Sequence, residues 1–169
     1  MSHVMDTYAR LPVAFERGEG SWLWDTNGKR YLDAMSGVAV CGLGHSHPRY
    51  VAALREQVGR LVHTSNLYHI TLQEKLADRL AAISGMDNVF FCNSGCEANE
   101  AAIKLVRKAR PRGEIIVAHG AFHGRTYGAL SATPQEAKQA PFAPLVPGFR
   151  AVRAAEVADA VDEHTAAVL

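Results

Sequence analysis

The sequence predicts an α/β protein with a mostly parallel sheet. Short apolar runs at residues 88–92, in EIIVAHG and in TAAVL have the length and β-branched content of buried strands. Amphipathic runs with the 3.6-residue period of a helix lie before and between them. Strands that alternate with helices are typical of a parallel sheet, because the connection between parallel strands has to cross over the sheet.

The N-terminal part of the chain predicts an arm followed by a β-hairpin. Tyr8 and the run LPVAFERGEG are expected to pack as an ordinary arm on the body of the protein. Trp22 and Trp24 alternate with polar neighbours, and Asn27-Gly28 interrupts this run before the next aromatic residue. An Asn-Gly pair in this setting predicts a two-residue type I′ turn, since both residues tolerate a positive φ. The glycine-rich run SGVAVCGLGHSHP that follows predicts a loop.

Three amphipathic helices are predicted in the middle of the chain. Pro48 suits the first position of one helix, because its missing N–H would have no partner there. Thr71 and Glu74 form a capping box for the second helix, and Gly85 lies just beyond its end. The third helix covers residues 95–110 and directly follows the strand at 88–92. Beyond EIIVAHG the sequence predicts a proline-rich loop at 134–147, a short helix at 154–161 and a last strand at TAAVL.

The composition predicts a soluble cytoplasmic protein that binds neither nucleic acid nor membranes. The 169 residues carry 18 Lys and Arg against 17 Asp and Glu, with no basic run. No segment approaches the roughly 18 apolar residues of a membrane span or resembles a signal peptide. Three cysteines without a CxxC pair predict reduced thiols. His45 and His47 lack a convincing set of further ligands, so no metal site is predicted.

The stretch FFCNSGCEANEAAIKLVRKAR passes from a predicted strand through a small polar turn into a helix. One explanation is structural, because Ser94 and Glu97 match the S-x-x-E of a capping box. The other is a phosphate site, because a helix N-terminus beyond a strand presents N–H groups and the positive dipole end, and Gly95 lets an anion approach the backbone. The glycine patterns of the P-loop and of dinucleotide-binding folds are missing, so such a site would belong to another fold. This stretch alone leaves both explanations open.

The stretch AFHGRT groups three side chains directly after a predicted strand. Phe122 offers an aromatic face, His123 a polar ring, and Arg125 a bidentate clamp for a carboxylate. An ordinary turn rarely needs all three, so this stretch alone leaves both a binding site and a plain turn open.

Four motifs taken together resemble one family closely. They are PVAFERGEGSWLWDTNGKRYLDAMSGVAVCGLGHSHP, HTSNLY, FFCNSGCEANEAAIKLVRKA and AFHGRTYGALSAT, and in this order they cover essentially the whole chain. The chain resembles the class III aminotransferases of pyridoxal 5'-phosphate (PLP) fold type I, and within them the acetylornithine/ornithine branch. The resemblance implies that residues 1–47 form an N-terminal arm and β-hairpin segment on the small-domain side. It implies that residues 48–169 form the first part of the PLP-binding large domain, incomplete at its C-terminus.

The resemblance also implies a cofactor site. By this resemblance Ser94, Gly95 and Cys96 hold the PLP phosphate at the helix N-terminus. Phe122 would lie against the cofactor ring, with His123 beside it. Cys96 departs mildly from the small residue or threonine that is usual in the family at this position, and a contact through its backbone N–H would survive that change.

The implied reaction transfers an amino group from N-acetylornithine or a related ω-amino donor to 2-oxoglutarate, as in arginine biosynthesis. By the same resemblance Arg125 binds a substrate carboxylate and Tyr8 approaches the substrate. HTSNLY resembles a segment that the family places near the dimer interface, which implies a homodimer. The identity of the donor is not fixed by this part of the family's sequence.

The chain departs from the family pattern in its lysines and aspartates. PLP transamination needs a lysine that holds the cofactor and moves a proton, and an acid that keeps the pyridine nitrogen protonated. No lysine follows a buried strand, and no aspartate is placed at the end of a core strand. The lysines are Lys29, Lys75, Lys104, Lys108 and Lys138. Because the family places both residues later, we expect this chain to be the front part of a longer aminotransferase, inactive by itself. The alternative is a short non-catalytic protein that binds a phosphorylated ligand or a partner.

Overall fold

The structure, a computed structural model, describes residues 3–169 and divides them into two compact units. The first unit ends at Thr71, and the second covers Leu72–Leu169. Across residues 3–169 no helix has the length and apolar character needed to cross a membrane. The predicted division into residues 1–47 and 48–169 concerns the small and large domains of the resembled family, and it stays a prediction.

The first unit contains a three-stranded antiparallel sheet and one long helix. The strands, in the order of the sheet, are β1 (Phe15–Glu19), β2 (Trp22–Asp25) and β3 (Arg30–Leu32). Strands β2 and β3 confirm the predicted hairpin, whereas β1 lies in a run that we predicted as an arm. The helix is α2 (Pro48–Arg60), which begins at the predicted proline.

The predicted type I′ turn between β2 and β3 is wrong. Of the turn residues only Gly28 has a positive φ, +78°. The Oδ1 atom of the buried Asp25 accepts hydrogen bonds from the N–H groups of Asn27 and Lys29, both at 2.9 Å. These bonds favour a longer loop with a single left-handed glycine, so Asn27 has no need of a positive φ.

The glycine-rich segment after β3 is irregular, as predicted, but it contains a short left-handed turn, α1 (Ser36–Ala39). Its four residues have φ angles between 51° and 64°. Asp33 supports this turn by accepting a hydrogen bond from the Ser36 N–H at 2.8 Å, and it pairs with His45 at 2.7 Å. A side-chain carboxylate therefore stabilises a backbone conformation that residues other than glycine seldom adopt.

The second unit has helices on a parallel sheet, which confirms the predicted α/β class. Its helices are α3 (Thr71–Ser84), α4 (Gly95–Ala109), α5 (Tyr127–Ser131) and α6 (Glu136–Gln139). Its strands are β4 (Glu114–Ala118), β5 (Phe149–Val152) and β6 (Thr165–Val168), in the order β5-β4-β6, with both pairings parallel.

The core of the second unit forms around the central strand. Ile115, Ile116 and Val117 of β4 are at most 1% exposed. Ile103 of α4 and Ala132 pack into the same apolar cluster as Ile115 and Val117. This packing fixes helix α4 and the segment after β4 against one sheet, and these two segments carry the candidate site.

Three sequence predictions in this unit are corrected by the structure. Residues 88–92 form no strand, and Phe90 is 71% exposed, because no strand of the described residues pairs with them. The predicted loop at 134–147 contains α6 and a 3-10 turn at Ala140–Phe142. The predicted helix at 154–161 is only a 3-10 turn at Ala154–Glu156. Strand β5 and helix α5 were not predicted.

Candidate functional site

The start of helix α4 has the capping geometry that the sequence predicts. Ser94 has the extended backbone of an N-cap residue, and its Oγ accepts a hydrogen bond from the Glu97 N–H at 3.2 Å. Glu97 reaches back one residue further than a standard capping box requires, since its Oε2 accepts from the Asn93 N–H at 2.6 Å. The Asn-Ser-Gly turn therefore does cap helix α4, as the structural explanation states.

The same helix start keeps room for an anion. The first hydrogen bond of the helix runs from the Ala98 N–H to the Ser94 carbonyl at 3.1 Å, so the N–H groups of Gly95 and Cys96 precede the helical ladder. A Cβ atom added to Gly95 would meet no atom within 4 Å. The space above Gly95 is thus open, and a phosphate can approach two backbone N–H groups at the positive end of a 15-residue helix.

The loop after β4 exposes the aromatic ring of Phe122, and two cationic side chains lie near this ring. Phe122 is 50% exposed. The Arg125 guanidinium carbon lies 5.3 Å from the centre of the Phe122 ring, and the Lys138 Nζ lies 5.9 Å from it. Phe122 and Arg125, two of the predicted site residues, are therefore brought together.

His123 is fixed through its backbone and has one unused ring nitrogen. Its N–H donates to Thr133 Oγ1 at 2.9 Å, and its carbonyl accepts from Asn99 Nδ2 at 2.6 Å. Burial lowers the pKa of His123, which keeps the ring neutral at neutral pH. Its Nε2 atom is buried and has no hydrogen-bond partner among residues 3–169. A buried polar atom of this kind indicates a missing partner, such as a ligand atom.

Helix α4 and the loop after β4 are joined at the site. The Arg125 N–H donates to Cys96 Sγ at 3.4 Å. Gly124 has φ +136°, and a Cβ atom there would collide with the same sulfur. The start of helix α4, which carries Ser94, Gly95 and Cys96, thus lies beside the loop that carries His123 and Arg125. Both segments belong to the second unit.

The remaining predicted site residue, Tyr8, lies in the first unit. It is 55% exposed, and the Arg10 guanidinium carbon lies 5.9 Å from its ring centre. Its assignment to the substrate stays a prediction. No group of three possible metal ligands occurs in the part of the chain that the structure describes.

Sequence analysis missed the polar residues whose side chains hold the backbone of the site loop in place. Asn99, Glu100, Thr133 and Gln135 each bind backbone atoms of the segment from 120 to 129. Asn99 and Glu100 follow Cys96 by three and four residues in helix α4. Helical spacing therefore predicts that they lie on the same face of the helix as Cys96. The sequence carried no signal for the loop that they bind.

We expect Thr133→Val to destabilise the protein by about 1–3 kcal/mol, because it leaves the part-buried His123 backbone N–H without its acceptor. Thr133 is fully buried, and its hydroxyl also donates to the Ala129 carbonyl at 2.8 Å. Urea denaturation measures the effect. Thr26→Val, the same change at an exposed position, serves as the control and should stay within about 0.5 kcal/mol of the wild type. Equal stability of both variants would show that Thr133 does not support the loop.

The comparisons with known proteins agree on one family. The family model described as aminotransferase class-III matches residues 4–169. The acetylornithine aminotransferase of Nitrosomonas europaea is 61% identical over 154 residues, which are 88% of this chain and 39% of that protein. The acetylornithine aminotransferase of Halalkalibacterium halodurans is 49% identical over 172 residues, which are 100% of this chain and 45% of that protein.

Solved structures show the same likeness. An ornithine aminotransferase from Toxoplasma gondii, described with partial occupancy of PLP at its active site, superposes with a TM-score of 0.91 at 31% identity. The match covers 98% of this chain and 42% of that one. N-acetylornithine aminotransferase from Stenotrophomonas maltophilia has a TM-score of 0.68 at 40% identity, covering 86% of this chain and 36% of that one. The chain therefore spans less than half the length of each of these four proteins.

Proposed function

Because this chain belongs to the class III aminotransferases, we propose that it forms the cofactor-phosphate and substrate-carboxylate part of a PLP-dependent aminotransferase. The proposed reaction transfers the amino group of N-acetylornithine, or of a related ω-amino donor, to 2-oxoglutarate. The main support is the joining of the α4 start to the loop that carries Arg125, in a chain that is 61% identical to an acetylornithine aminotransferase. The activity would serve arginine biosynthesis, in the cytoplasm and as a homodimer.

The residues of the second unit fit PLP. Class III aminotransferases depend on this cofactor, which when bound supplies the electron sink for amino transfer. The N–H groups of Gly95 and Cys96 and the Ser94 hydroxyl would hold its phosphate, since open space lies above Gly95. The exposed face of Phe122 would lie against the aromatic ring, and the unpartnered Nε2 of His123 would bind a polar group beside it.

Arg125 would orient the substrate. A guanidinium forms two parallel hydrogen bonds with a carboxylate, which fixes the orientation of the substrate as well as its position. Both the amino-acid donor and 2-oxoglutarate carry a carboxylate, so the same residue can serve both halves of the reaction. Tyr8 is proposed as a second substrate contact, from the N-terminal arm.

The lysine that holds the cofactor would come from outside these 169 residues. All five lysines of the chain are exposed, which is unlike the desolvated site of a reactive lysine. They lie in the hairpin turn and on helices: Lys29, Lys75, Lys104, Lys108 and Lys138.

We expect the 169-residue chain, mixed with PLP and reduced with borohydride, to show no stoichiometric labelling at any single lysine by mass spectrometry. The physical reason is that each lysine of this chain is exposed and lacks the desolvated surroundings and the acid and phosphate contacts that a complete site provides. Stoichiometric labelling of Lys138, whose Nζ lies 5.9 Å from the Phe122 ring centre, would contradict this proposal.

The proposed reaction is tested with the full-length protein that contains these residues. With N-acetylornithine and 2-oxoglutarate it should form glutamate, and ornithine and 4-aminobutyrate serve as competing donors. A protein that binds PLP but forms no glutamate from any of these donors would contradict the aminotransferase proposal. It would favour the alternative of a non-catalytic protein that binds a phosphorylated ligand.

A further inference from the structure

We propose that Glu100 is a positioning residue for Arg125, because it holds the segment immediately after this arginine on helix α4. The inference rests on the proposed function, in which Arg125 binds the substrate carboxylate. Glu100 would act only through Arg125, without contacting substrate or cofactor.

The carboxylate of Glu100 binds three residues at the start of helix α5, just after Arg125. Its Oε1 accepts from the Gly128 N–H at 2.9 Å and from the Ala129 N–H at 3.1 Å. The Thr126 hydroxyl also donates to this carboxylate, and this bond lowers the pKa of Glu100 more than burial raises it. Hydrogen bonds to an ionised acceptor are stronger than neutral ones, so the charge of Glu100 contributes to the placement of the loop.

The loop approaches helix α4 so closely that side chains are excluded at two points. A Cβ atom on Gly128 would lie 2.5 Å from Glu100 Oε2, and one on Gly124 would collide with Cys96 Sγ. Both glycines are buried. The two contacts lie on either side of Arg125, and their partners, Cys96 and Glu100, are four residues apart on one face of the helix.

The bonds before and after Arg125 have different strengths. Before it, the loop is held by the neutral bond from Asn99 Nδ2 to the His123 carbonyl, and at Arg125 itself by an N–H bond to the Cys96 sulfur, which is a weak acceptor. After it, the loop is held by the charged Glu100. Loss of that charge should therefore shift the arginine relative to the α4 start, and a misplacement of about 1 Å can cost a large factor in rate.

The test is a double-mutant cycle in the full-length protein with 2-oxoglutarate as the varied substrate. Glu100→Gln keeps the size of the side chain and removes its charge, so KM should rise about 10-fold while PLP affinity stays within about two-fold. In an Arg125→Lys background the same change should raise KM by less than about two-fold, because the group it positions is already gone. Glu163→Gln, whose side chain is 88% exposed, is the matched control and should leave KM unchanged.

Three results would overturn the inference. They are an unchanged KM in Glu100→Gln, an equal rise in both backgrounds, and a parallel loss of PLP affinity and melting temperature with KM unaltered. If Glu100→Gln does not fold, Thr126→Val replaces it as the test, because it removes one of the three hydrogen bonds to the Glu100 carboxylate. This variant should also raise KM, by a smaller factor. Failure of the proposed function looks different, because then the wild type does not transaminate or Arg125→Lys leaves KM unchanged.

Discussion

Arg125→Lys should lower kcat/KM for 2-oxoglutarate about 100-fold in the full-length protein, mainly through KM, if about 2–3 kcal/mol of charged hydrogen bonding is lost. Lysine is a point charge and does not reproduce the two parallel bonds that a guanidinium makes with a carboxylate. PLP absorbance should stay near normal, because Arg125 is assigned to the substrate. Steady-state kinetics at saturating PLP measures this effect.

Arg153→Lys is the matched control for this prediction. Arg153 is also in the second unit, its side chain is 78% exposed, and it pairs with Glu156 on the surface. The control should leave both KM and stability unchanged. If Arg125→Lys instead loses stability or PLP while the remaining holoenzyme keeps its KM, then Arg125 has a structural role.

Gly95→Val should weaken PLP binding about 100-fold with little loss of stability, because two branched methyl groups would fill the space above the helix start and cost about 2–3 kcal/mol of phosphate hydrogen bonding. Gly95 is the first residue of helix α4, and a Cβ atom added there would meet no other atom within 4 Å, so the substitution starts from open space. Titration of the PLP absorbance gives the affinity, and thermal denaturation of the apo protein gives the stability.

Gly59→Val is the matched control for the Gly95 variant. Gly59 lies in helix α2, and a Cβ there would also meet no atom within 4 Å. This variant should bind PLP as the wild type does. Equal losses of PLP affinity and melting temperature in Gly95→Val would favour the plain capping explanation. Ser94→Ala does not separate the two explanations, since losing an N-cap costs about 1 kcal/mol with or without a ligand.

The elements with a strong local signal were predictable from sequence. Helices α2, α3 and α4 carry apolar faces at helical spacing, and Pro48 and Ser94 mark the starts of two of them. Strand β4 was recognisable from its run of β-branched residues, which are almost fully buried. The type of turn at Gly28 could not be predicted from sequence, because hydrogen bonds to the buried Asp25 carboxylate select a turn that the Asn-Gly pair alone does not specify.

The sequence predictions that were wrong or missing concern features that depend on contacts between residues distant in the chain. Residues 88–92 have a strand composition, but a strand needs a neighbour to satisfy its backbone, and none of the described strands provides one. Within the site, Ser94 and Arg125 could be named from motifs, and the structure confirms only that their segments are joined. The bonds of Asn99 and Glu100 to a loop 24 to 29 residues away leave no trace in local sequence.

The most direct test of the central claim is a crystal structure of the full-length protein with PLP. We predict phosphate oxygens within about 2.7–3.2 Å of the Ser94 hydroxyl and of the Gly95 or Cys96 N–H groups, with the cofactor ring against Phe122. A phosphate bound elsewhere, with only water above Gly95, would contradict the claim that this helix start is the cofactor cradle.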